Sequence, residues 1–234
     1  MPEMVQGYRW LACAPLVVAI VSGCAPAPIR LDSAEMARLK DEREIRAVRY
    51  EPASLSFRSR LASAQLPGVL ALASLGADIA DSARGPQLMK EYGLTDPAGT
   101  VQERLLAALA GELGLQNLRP VPDPLASDEL DVLRTAVGTG PVLDVKTLAW
   151  SLQYDPNSFS GYLVYYAARG RLVRLDPPRV VWQSICNLPG KQSLPVDQFT
   201  ANNGALLKAT IAERVEQCVQ FLRDEFLGRS EAGS

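Results

Sequence analysis

PVLDVKTLAWSLQY (residues 141–154), GYLVYYAARGRLVRL (161–175) and VVWQSIC (180–186) are three runs rich in β-branched and aromatic residues, separated by short polar turns. Asp155-Pro156-Asn157 and Asp176-Pro177-Pro178-Arg179 have turn chemistry, so the region predicts a three-strand antiparallel meander. Beyond a Gly/Pro loop, Leu207, Ile211, Val215, Cys218/Val219, Leu222 and Phe226 recur every three or four residues. That period predicts a long helix from Asp197 or Thr200 to about Leu227. A meander followed by a helix that must bury one stripe predicts an α+β (or α/β) fold: one antiparallel-rich sheet with helices mainly on one face.

Upstream, the chain supplies further elements. LDSAEMARLKDER (31–43) suits a short helix capped near Asp32 or Ser33. EIRAVRYE (44–51) suits a first strand ended by Pro52, with 53–66 as loop or edge. Leu66–Ala80 is apolar and rich in small residues, and reads as a close-packed helix on the sheet or as a second membrane or partner contact. Thr95-Asp96-Pro97 starts a helix carrying Val101, Leu105, Ala108, Leu109 and Leu113 at helical spacing, and Gly114 stops it. LQNLRPV (115–121) suits a short strand, and Ser127-Asp128-Glu129-Leu130 caps a helix to about Val137. The expected unit is a single globular domain over residues 32–228, with a disordered tail at 229–234.

Composition removes whole classes of function. The chain has no histidine, so no Ser-His or Cys-His nucleophile and no His-ligated metal or haem site can form. A net charge of −2 and a pI near 5.4 argue against a nucleic-acid partner. Asp123, Asp128, Glu129 and Asp131 lack the ordered spacing of a calcium loop, and no Walker, G-x-S-x-G or dinucleotide motif is present. No catalytic residue, metal site or cofactor is expected. Arg169, Arg171 and Arg174, with Lys146 beside them, are the candidate partner-binding residues. They are expected on the solvated outer face of the sheet, where they would meet an acidic protein surface, an anionic headgroup or a glycan. Trp150, Tyr162, Tyr165 and Tyr166 read as core and cross-strand pairs.

The N-terminus carries an address. WLACAPLVVAIV (10–21) has the length of a signal-peptide apolar segment, too short to span a bilayer and broken by Pro15. Arg9 is the only basic residue before it, and Glu3 opposes it; a start at Met4 would remove that acid. Val21-Ser22-Gly23-Cys24 then resembles the lipobox of bacterial lipoproteins. The resemblance implies removal of a signal peptide at 1–23, diacylation of Cys24 and usually acylation of the new N-terminus. Residues 24–31 would be the lipidated cysteine and its Pro-rich tether. Ala25 stands where that family places an inner-membrane retention Asp, which implies an outer-membrane, periplasm-facing location. In an oxidising compartment the two remaining cysteines of the body, Cys186 and Cys218, form an even pair. Cys186 shares strand parity with Trp182, and Cys218 lies on the apolar helix stripe, so a disulfide between them is expected over two buried thiols.

EYGLTDP (91–97), LLAALAGELGLQNLR (105–119), VLDVKTLAWSLQY (142–154), the strand ending ICN (185–187) and NNGALLKATIAERVEQC (202–218) resemble a set of uncharacterised proteobacterial lipoproteins. The element order is also similar, in architecture alone, to small α/β modules of envelope lipoproteins in secretion and export assemblies. Together these imply a membrane-anchored, non-enzymatic accessory or structural component with an envelope protein as partner. A small-ligand or lipid binder would instead show a closed apolar cavity under the meander. A hydrolase lacking His would show converging carboxylates or a Ser-Lys pair.

Overall fold

The computed structural model describes residues 27–63 and 71–229, without the side chains of 62–63 and 71–76. Residues 1–26, and with them the expected signal peptide and Cys24, lie outside it, as do 64–70 and the expected tail from 230. The elements are α1 (Ser33–Glu42), β1 (Glu44–Val48), β2 (Ser56–Arg58), α2 (Arg60–Ser63), α3 (Ala71–Tyr92), α4 (Ala98–Leu113), β3 (Asn117–Pro120), α5 (Leu130–Val137), β4 (Pro141–Tyr154), β5 (Tyr162–Leu175), β6 (Pro178–Leu188) and α6 (Val196–Phe226). The fold is α+β.

The meander forms as its sequence dictates: β4, β5 and β6 pair antiparallel, with a bulge in β4 between Thr147 and Ala149. The sheet extends beyond it in order β3-β1-β4-β5-β6, and β2 also pairs with β4. These additions are parallel. Arg46–Val48 pairs with Val142–Asp144, and Ser56–Arg58 pairs with Ser151–Gln153. The sheet is therefore mixed, because helices connect β1 and β3 to their neighbours, and only such crossovers can join parallel strands.

The larger core lies on one face. Leu105 and Leu109 of α4 and Leu207, Cys218, Leu222 and Phe226 of α6 pack on Ile45, Leu143, Leu152, Tyr166, Leu172 and Trp182. Trp182 meets Phe226 edge to face at 4.9 Å. Gly170 makes this possible, since a Cβ there would come within 2.9 Å of the Trp182 ring. A smaller cluster on the other face joins Leu133 and Val137 of α5 to Val48, Val142, Val173 and Leu175. Cys186 and Cys218 are bonded, with Cα atoms 5.5 Å apart, and tie β6 to the buried stripe of α6.

Helix boundaries depart from simple pattern reading in two places. α3 runs from Ala71 through Pro86 to Tyr92 as one helix, and Gly85 crosses the Leu55 backbone so closely that a Cβ would sit 1.8 Å from its carbonyl oxygen. α6 is broken at Ala201–Gly204, where Asn202, Asn203 and Gly204 take positive φ, so the long helix proper starts after the break.

Residues 27–29, expected within the tether, are docked. Ile29 and Gln183 exchange two backbone hydrogen bonds of 2.9 Å, and Gln183 Nε2 donates to the Ala27 carbonyl at 3.0 Å. This short strap covers part of the β6 edge, which would otherwise present unpaired backbone.

Candidate functional site

β5 is covered on both faces, and this decides the fate of its arginines. Arg169 and Arg171 share parity with Val173 and point towards α5, whereas Arg174 points the other way, towards α1. All three are buried, Arg174 to 2% exposure. The expectation of a solvated basic strip is therefore corrected: Arg169, Arg171 and Arg174 are enclosed, and each is held by carboxylates.

Register builds the first cluster. Asp144 of β4 stands opposite Arg171 of β5, and Lys146 opposite Arg169. Arg171 grips the fully buried Asp144 with Nη2 at 2.7 Å and Nε at 3.1–3.2 Å, and also donates to the Asp128 carbonyl at 2.8 Å. The Tyr50 hydroxyl, just beyond β1, donates to Asp144 at 2.9 Å. Asp128, in the loop entering α5, closes the cluster by accepting from Arg169 Nη2 at 2.6 Å and Lys146 Nζ at 2.7 Å. Lys146 also lies 5.5 Å over the Tyr50 ring. Burial opposes the Asp128 charge, but hydrogen bonds from Lys146 and Arg169 outweigh it and hold the carboxyl well below the usual carboxylate range. Burial, and then the Asp144 charge, push the Tyr50 phenol far above its ordinary value, so it stays a neutral donor. The Arg169 Nε has no hydrogen-bond partner among the described residues.

Arg174 belongs to a second cluster. Its Nε donates to Glu35 of α1 at 2.9 Å and its Nη1 donates to Glu42, while Arg179 donates to Glu35 from β6. α1 is thereby clamped across the end of the sheet.

A cavity of about 420 Å³ lies beside the first cluster, lined by Tyr50, Met89, Leu94, Asp96, Gln102 and Lys146 among others. It occupies the stretch of β4 between its pairing with β1 and its pairing with β2, where that side of the strand has no neighbour. Gln102 of α4 bridges the Val48 and Leu143 carbonyls there, at 2.7 and 3.0 Å. Asp96 accepts from Ala53 N–H, Ala98 N–H and the Thr147 hydroxyl. These polar groups are spent on holding the wall together. The cavity sits beside β4 and α4, not under the meander, where the alternative of a small-ligand binder would place a closed apolar one. Among the described residues, no group of carboxylates and cysteines comes together that could hold a metal, and no helix is long and apolar enough to cross a membrane.

Of the sequence-derived site residues, the structure brings Cys186 to Cys218 and Arg169 to Arg171, separates Arg174 from the latter pair, and does not describe Cys24. Sequence reasoning missed Tyr50, Asp128, Asp144, Glu35 and Glu42 as the partners. Two signals were available: Asp144 interrupts an apolar run, VLDVK, and the odd spacing from Arg171 to Arg174 puts them on opposite faces.

No family model matches the chain, and no curated protein matches it by sequence. Among solved structures it is similar to PelC, crystallised as a dodecamer, from Paraburkholderia phytofirmans, with 11% identity, a TM-score of 0.32, and coverage of 78% of this chain and 86% of that one. Protein XCC0632 of family DUF330 from Xanthomonas campestris gives 10% identity and a TM-score of 0.35, covering 78% of this chain and 84% of that one. Lipoprotein GNA1162 from Neisseria meningitidis gives 14% identity and a TM-score of 0.24, covering 74% of this chain and 98% of that one. Likenesses of this size assign the chain to no family.

Proposed function

We propose that the protein is a lipid-anchored, non-enzymatic component of a bacterial envelope assembly, facing the periplasm from the outer membrane. The observation that carries this reading is Val21-Ser22-Gly23-Cys24 at the end of a signal-length apolar run. Two further facts support it. The cysteine pair is bonded, which suits an oxidising compartment. The most deeply buried carboxylate, Asp144, is engaged by Arg171 and Tyr50, so it is poorly placed to move protons.

The experiment is palmitate labelling in cells. Wild-type protein should incorporate label and Cys24→Ala should not; equal labelling of the two would overturn the lipoprotein reading. Crosslinking of the labelled protein in intact envelopes should then yield a discrete protein adduct. The cavity beside β4 favours a second reading, a small-ligand binder, and solvent extraction of the same preparation would then release a stoichiometric small molecule.

A further inference from the structure

Resting on the lipoprotein reading above, we infer that the β6 edge from Gln183 to Lys191 is the surface that the protein lays against an anionic phospholipid bilayer. Only Ala25 and Pro26 separate Cys24 from Ala27, three Cα steps in all, and Ala27 is already fixed to the Gln183 side chain. A fully extended chain of that length spans at most ~11 Å. The strap therefore leaves the body no freedom to swing away from its own anchor.

Direction follows from pairing. Ile29 meets Gln183 antiparallel, so from Ile29 back to Ala27 the chain runs towards the C-terminal end of β6 and the loop after it. The far edge of the sheet, β3, is four strand positions away in the order β6-β5-β4-β1-β3. At ~4.8 Å per strand that is about 19 Å, beyond the reach of the tether.

Charge agrees with this placement. Residues 183–196 contain no Asp or Glu, although the whole chain is acidic on balance; Lys191 is the charged residue there, while Arg179, at the other end of β6, is held by Glu35. An acid-free edge with a cation beside an acyl anchor complements an anionic membrane surface. Asn187, Pro189 and Lys191 are exposed, and Ile29 is 39% exposed beside them, ready to meet headgroups.

The test uses full-length lipidated protein in vesicles of phosphatidylethanolamine and phosphatidylglycerol that carry a headgroup nitroxide quencher. Asn187→Trp reports on the proposed membrane edge and Asn117→Trp on the β3 edge. The native Trp150 and Trp182 are buried and give a common background. Several-fold stronger quenching at position 187 than at 117 is expected. Insertion of about twelve Gly/Ser residues between Ala25 and Pro26, with an r.m.s. reach of ~20 Å, should erase most of that contrast while leaving lipidation intact. Acylated protein quenched equally at both sites, or more at 117, overturns the inference. So does a contrast that survives the insertion. A polypeptide mass without acyl chains would instead overturn the lipoprotein reading on which it rests.

Discussion

The two faces of the central sheet are held by different physics. On the α4–α6 face, adhesion comes from non-directional burial of Leu, Phe and Trp side chains, with one disulfide across the layers. On the α5 face, a small apolar cluster sits beside a patch of five charged side chains and Tyr50. Apolar packing tolerates sliding, whereas a buried guanidinium accepts one geometry. The ionic face therefore fixes where the 121–130 segment lies, and the apolar face supplies most of the burial.

The sharpest way to break this comparison is to remove one partner of the buried pair. Asp144→Ala leaves Arg171 enclosed without its main counter-charge, with only the shared Asp128 carboxylate 3.9 Å away, and should cost about 3–5 kcal/mol in urea unfolding. Replacing both, Asp144→Leu with Arg171→Met, should recover much of that loss, because the isolated charge is what destabilises. Equal destabilisation of the single and double variants would show that packing, not charge, dominates this face. The disulfide tests the apolar face next. Its ends are 32 residues apart, and in the chain-entropy model Cys186→Ala with Cys218→Ala should cost about 3–4 kcal/mol, read by calorimetry of matched samples.

The smallest effect belongs to Asp128. Its folded carboxyl is held below the ordinary aspartate value of ~3.9. The stability it contributes is therefore complete above about pH 4 and is lost as pH falls through the folded value. Because Asp128 is partly open to solvent, Asp128→Asn should cost only about 1 kcal/mol at neutral pH. It should also flatten the acid limb of the stability curve; an unchanged limb would assign the acid sensitivity to other carboxylates.

What the sequence revealed, and what it hid, follows the same division. The meander, α4 and the disulfide were legible because each is written in local period and parity: alternating apolar residues, helical spacing, and two cysteines on inward positions. The arginines were misread as solvated because their partners come from far along the chain. Glu35 lies 139 positions from Arg174, and Asp128 lies 41 from Arg169; no local window contains both members of either pair. The cavity was illegible for a related reason. It is made by what is missing beside β4 between β1 and β2, and a gap in strand pairing leaves no mark on the strand that borders it.

The strap also imposes a calendar. Ala27 and its partner Gln183 are 156 positions apart, so in a chain that emerges N-terminus first, the strap waits without a seat until the third meander strand has arrived. At ~5–20 residues per second of synthesis, that interval is on the order of ten seconds or more. On the lipoprotein reading proposed above, that interval is when enzymes that cut and acylate would act, before folding of the body draws Ala27–Ile29 down onto the sheet.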